Sequence, residues 1–88
     1  NTVINTGSVV DHDCHIGDHV HISSGATLSG GVWVGENTHV GTGATVIQGI
    51  QIGRNSLVAA GAVVIRDVPD GATVAGVPAK RDVAVRIE

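Results

Sequence analysis

Aromatic side chains are nearly missing: Trp33 stands alone, and Met, Phe and Tyr do not occur anywhere in the 88 residues. A chain that is still 42% hydrophobic must then build its interior from Val, Ile, Leu and Ala. One cysteine, Cys14, excludes an intrachain disulfide scaffold and fits a reducing, cytoplasmic compartment. No apolar run approaches the roughly 20 residues of a membrane-spanning helix, and none has the form of a signal peptide. Basic residues are absent from positions 1–53; all five (Arg54, Arg66, Lys80, Arg81, Arg86) lie beyond, within a formal net charge of −3. That balance argues against a nucleic-acid partner. With no methionine even at position 1, the chain is expected to be an excised fragment.

What the chain has instead is a period of six. Ile4, Val10, Ile16, Ile22, Leu28, Val34, Val40, Val46, Ile52, Val58 and Val64 are all branched aliphatics. The register holds without insertion across residues 4–69. A second, narrower inward position carries Ser8, Cys14, Val20, Ala26, Val32, Thr38, Ala44, Ile50, Ser56, Ala62 and Val68. Cys14 is thus expected in the core, where apolar surroundings keep a thiol inert. The residue before each of these is Gly7, Asp13, His19, Gly25, Gly31, Asn37, Gly43, Gly49, Asn55, Gly61 or Asp67. Gly, Asn, Asp and His are the residues that tolerate a left-handed backbone best. A corner every six residues makes each hexad a short strand plus a turn, and three hexads close one triangular coil. Residues eighteen apart then stack at the strand spacing, about 4.8 Å.

The period resembles that of the hexapeptide-repeat acyltransferases, and the resemblance implies an all-β fold, the left-handed parallel β-helix, assembled as a homotrimer. Residues 1–69 form the repeats, and residues 70–88 leave the register as a cap at the C-terminal end.

Four of the five histidines fall within VDHDCHIGDHVH, residues 10–21. Corners tolerate exposed histidine, so a solvated role is one reading. The other begins from His12, at a corner with Asp13 following it, close enough to fix the tautomer or stabilise the imidazolium. A histidine with a carboxylate partner is a minimal general base. Gly30, eighteen residues on, either eases its corner or leaves room for a ligand beside that ring. His21 and His39 stack on adjacent coils and offer a rival use, as metal ligands. Trp33 faces outward one coil above His15, as an interface anchor would. At the other end, GVPAK (76–80) follows the repeats, and Arg54, Arg66, Lys80 and Arg81 gather where phosphates could bind. Ser24, Thr42 and Ala60 form a ladder of small corner residues.

INTGSVVDHDCHIG and GVPAKR together are similar to the sialic-acid O-acetyltransferase and UDP-4-amino-sugar N-acetyltransferase family. That resemblance implies acetyl-CoA as cosubstrate, a sugar or nucleotide-sugar acceptor, and no metal. It makes His12 the general base and Asp13 its carboxylate. Asn5 would touch the acceptor and His21 the thioester, while Gly30, Thr42, Ala60 and Lys80 would contact the coenzyme. Relatives also carry an N-terminal nucleotide-sugar-binding domain of Rossmann type, and nothing in these 88 residues resembles one. Two other readings stand beside it. One is a zinc hydratase of the γ-carbonic anhydrase type; the other is a non-catalytic trimeric scaffold.

Overall fold

The computed structural model describes residues 2–81, and in them every strand but one has two residues. The first coil is β1 (Val3–Ile4), β2 (Val9–Val10) and β3 (His15–Ile16). The second is β4 (His21–Ile22), β5 (Thr27–Leu28) and β6 (Trp33–Val34). The third is β7 (His39–Val40), β8 (Thr45–Val46) and β9 (Gln51–Ile52), and the fourth opens with β10 (Leu57–Val58) and β11 (Val63–Val64). β12 (Thr73–Ala75) and β13 (Lys80–Arg81) complete the order.

Three sheets result, one on each side of a triangular prism, with all strands parallel except β13. Sheet A runs β1-β4-β7-β10-β12-β13, sheet B is β2-β5-β8-β11, and sheet C is β3-β6-β9. Partners are eighteen apart, as in Val3↔His21 and Ile16↔Val34, so each inward side chain lands on its equivalent one coil away. Ile22, Leu28, Val40, Val46 and Val58 are fully buried along the axis, with Ala26, Ala44 and Ala62 in the narrower positions. Burying each branched side chain contributes about 1.5–3 kcal/mol, which explains how a core without aromatics suffices. In the first coil the axis-facing Ile4 is 51% exposed.

The corners follow the sequence pattern closely. Ten of the eleven expected positions have positive φ, including Asp13 (64°), His19 (58°), Asn37 (59°) and Asn55 (54°). Asp67 does not; Gly71 takes that conformation instead, with φ 73°. The cause is a register slip. Val68 pairs with Ile52, and Val74 with Val58, sixteen residues apart rather than eighteen. The last coil is therefore two residues short, and side chains bond the amides along its edge. Asp67 Oδ1 accepts from the Gln51 amide at 2.8 Å, and Asp70 Oδ1 from the Arg54 amide at 2.9 Å. Stacking thus continues through β12, beyond the strict hexads. β13 then turns back antiparallel, with Ala75↔Lys80 and Val74↔Arg81, and covers the edge of sheet A. The end of the 70–88 segment, with Arg86, lies outside the described residues.

Candidate active site

His12 occupies the corner between β2 and β3, projected into solvent with its side chain 83% exposed. Its hydrogen-bond partner is Asp11, not the expected Asp13. Asp11 Oδ1 accepts from the His12 amide at 2.7 Å and lies 2.8 Å from Nδ1. The amide bond, and then the ring's charge, hold the Asp11 carboxyl below its usual value. Asp13 Oδ2 is 3.9 Å from Nε2, beyond a hydrogen bond but within ion-pair reach. The physical reason is the turn. Asp11 ends the strand with its side chain folded over the next amide, while Asp13 takes the left-handed corner, which swings it around the other edge of the ring. Sequence adjacency alone does not distinguish these two carboxylates.

Gly30 stacks one coil beyond His12, and its glycine has no structural need behind it. Eight of the thirteen glycines have positive φ. At four others, Gly17, Gly35, Gly41 and Gly53, an added Cβ would collide with the next coil. Gly30 shares neither constraint: its nearest encounter would be the His12 carbonyl oxygen at 3.8 Å, an ordinary contact. The reading in which Gly30 eases its corner is therefore set aside; Gly31 does that, with φ 73°. Among the described residues the Gly30 amide also donates to no backbone carbonyl.

Sheet A, the face opposite the His12 corner, carries the second cluster. Asn5 Nδ2 lies 3.0 Å from His21 Nε2. A carboxamide nitrogen can only donate, so in this contact the ring nitrogen accepts. His21 and His39 stack at 4.6 Å between centroids and 21° between planes, as their spacing implies. His39 Nε2 is 3.0 Å from Ser23 Oγ, a bond the sequence reading missed. Its signal was available, because Ser23 and His39 repeat the Asn5–His21 spacing of sixteen one coil later. Partial burial, and then the facing His21, push the His39 imidazole below its usual value of 6.5. Among the described residues no three His, Cys, Asp or Glu side chains converge on one point.

Thr42 and Ala60 are exposed on the corner beside sheet A, and their amides donate to no backbone carbonyl among the described residues. Lys80, in β13, stands at the C-terminal edge of the same sheet. Arg66, Lys80 and Arg81 line one groove of about 450 Å³. Arg54 does not join them; it borders a groove beside Trp33 and pairs with Asp70 at 3.9 Å. Cys14 is half-buried against the core, its Sγ 3.2 Å from the Ser29 carbonyl. His15 and Trp33 stack at 4.0 Å on sheet C. Asn5 and His21 meet within one chain, then, but His12 with Gly30 stands on the opposite side of the prism.

The structure is a three-sided solenoid of parallel strands built on a six-residue repeat. Residues 1–30 and 31–66 match the family described as bacterial transferase hexapeptide (six repeats), and the chain belongs to that family, with its left-handed β-helix. No curated protein matches the chain by sequence. Among solved structures, perosamine N-acetyltransferase from Caulobacter crescentus, in complex with CoA and GDP-perosamine and carrying a histidine-to-asparagine substitution, is 49% identical with a TM-score of 0.91. The alignment covers 92% of this chain and 39% of that one. The acetyltransferase domain of PglB from Neisseria gonorrhoeae, in complex with acetyl coenzyme A, is 48% identical at the same TM-score, covering 92% and 40%. Serine acetyltransferase from Neisseria gonorrhoeae is 33% identical, with a TM-score of 0.87 and coverage of 92% and 36%. The chain thus spans about two fifths of the length of these relatives.

Proposed function

We propose that this chain is the coenzyme-binding and catalytic portion of an acetyl-CoA-dependent acetyltransferase whose acceptor is an amino or hydroxyl group of a nucleotide-activated sugar. The observation that carries the reading is Gly30: a glycine unneeded by the fold, with a free amide, beside an exposed histidine flanked by two carboxylates. Space, a proton acceptor and a hydrogen-bond donor meet at one corner, which is what acyl transfer requires.

In this mechanism Asp11 holds the His12 proton on Nδ1, leaving the Nε2 lone pair for the acceptor. The acceptor nitrogen or oxygen forms a bond to the thioester carbonyl carbon while Nε2 removes its proton. The resulting oxyanion is met by the Gly30 amide or by His21 Nδ1–H, and Asp13 stabilises the imidazolium across the ring. Collapse breaks the carbon–sulfur bond, and the proton returns from His12 to the leaving thiolate. Asn5 orients the acceptor. The pantetheine arm follows the Thr42 and Ala60 amides, and Lys80 with its basic neighbours takes the phosphates.

Because His12 and His21 stand on opposite sides of one prism, the reading requires the corner of one copy to meet sheet A of the next, and a closed homotrimer repeats that contact three times. An acetyl-CoA-consuming enzyme with a free thiol fits the cytoplasm. No helix among the described residues is long and apolar enough to cross a membrane.

Calorimetric titration with acetyl-CoA and free coenzyme A, alongside light scattering, tests the reading. Micromolar binding at about one coenzyme per chain of a trimer is expected. A folded protein that binds neither would overturn it and favour the scaffold.

A further inference from the structure

His39 has no part in the mechanism above, yet its ring is held on two sides. One face of its ring lies on His21, and its Nε2 meets Ser23 Oγ. On the other side of His21 the register neighbour is Val3, which is 49% exposed and carries no ring. Leu57 follows His39 in the same outward column. His39 is therefore the only flat surface against which the His21 ring can settle among the described residues. The ring orientation matters because His21 makes one hydrogen bond in the structure and is given a second by the proposed mechanism. Nε2 accepts from Asn5, and Nδ1–H is left to donate outward. A ring free to rotate would satisfy one at the expense of the other.

We infer that His39 is a positioning residue for the coenzyme site, holding the His21 ring by stacking and held in turn by Ser23. The inference rests on the reading that His21 contacts the thioester. His39 and Ser23 act only through His21 and touch neither substrate. Neutrality is part of the device, since two stacked imidazolium rings repel, and partial burial already disfavours charge on His39. Among the described residues, no other titratable group faces the pair from β1 or β10.

Two readouts keep this inference separable from the functional reading. The first is the His21 ring proton resonance in the free protein. It should carry an upfield ring-current shift in the wild type, lose it in His39→Ala and retain it in His39→Phe. The second is kinetic. His39→Ala should raise the acetyl-CoA KM roughly three- to tenfold, the scale of one aromatic stack, with kcat less affected. His39→Phe should return KM to within about twofold of wild type, and Ser23→Ala should fall between. An unchanged His21 resonance in His39→Ala overturns the inference. So does a His39→Phe protein that keeps the ring shift but has the KM of His39→Ala. Should the wild type bind no coenzyme, the functional reading fails, and the ring resonances still decide whether His39 fixes His21.

Discussion

His12 and the His21–His39 pair are the same residue type in opposite environments. At the corner after β2, His12 is mostly solvated with carboxylates 2.8 Å and 3.9 Å from its two nitrogens. On sheet A, two rings lie flat on one another, each held by a neutral partner. Carboxylates beside a ring can accept its proton or steady its charge, whereas burial disfavours charge on His39. The first environment suits a group that gains and returns a proton, and the second suits one that stays neutral and offers a fixed donor. They stand on opposite sides of the prism, so the proposed mechanism divides these two tasks between copies.

The sharpest way to break this contrast is His12→Ala. Turnover should fall about 10²–10⁴-fold, the usual contribution of a general base, with acetyl-CoA affinity and the trimer intact in calorimetry and light scattering. Near-normal turnover would remove His12 from the chemistry.

The glycines sharpen it next. Gly35→Ala would place a Cβ 2.5 Å from the Arg54 nitrogen and should cost about 1–3 kcal/mol or more in urea unfolding. Gly30→Ala should leave stability unchanged within about 1 kcal/mol while lowering turnover about tenfold through misplacement of the reacting groups. Equal damage to folding by both would end the argument from Gly30.

A smaller effect separates the carboxylates. Asp11→Asn should reduce kcat about tenfold because it no longer fixes the His12 tautomer, and Asp13→Asn only a few-fold. The reverse order in steady-state kinetics would restore Asp13 as the principal partner.

The smallest concerns pH. Folding holds the His39 pKa below its usual 6.5, so between the two values the unfolded chain binds more protons than the folded one. Stability therefore falls as pH drops through that window and levels off below it. Because the ring is largely exposed, the change is slight. His39→Phe should flatten it in urea midpoints compared at about pH 8 and pH 5.

The hexad carried most of this architecture into view, because one residue in six must accept a left-handed backbone and one must be a branched aliphatic. Both stacked pairs, His15–Trp33 and His21–His39, follow from eighteen-residue arithmetic. The register slip stayed hidden because Val68 suits the core in either phase, and because Asp67 is a residue type that corners accept. The Asp11 contact stayed hidden for a local reason. Asp11 and Asp13 flank His12 symmetrically in sequence, and only the backbone of the turn decides which one bends toward Nδ1. Position in the chain groups Arg54 with the other basic residues, whereas the fold pairs it with Asp70.

The central claim is that a site is built from the His12 corner of one copy and sheet A of the next. Its most direct test is to mix and refold His12→Ala and His21→Ala chains, each nearly inactive alone, and assay acetyl transfer. Random assembly places an intact corner against an intact sheet at about a quarter of the contacts, so about a quarter of wild-type activity should return. No recovery in a mixture shown to form mixed trimers would contradict the account.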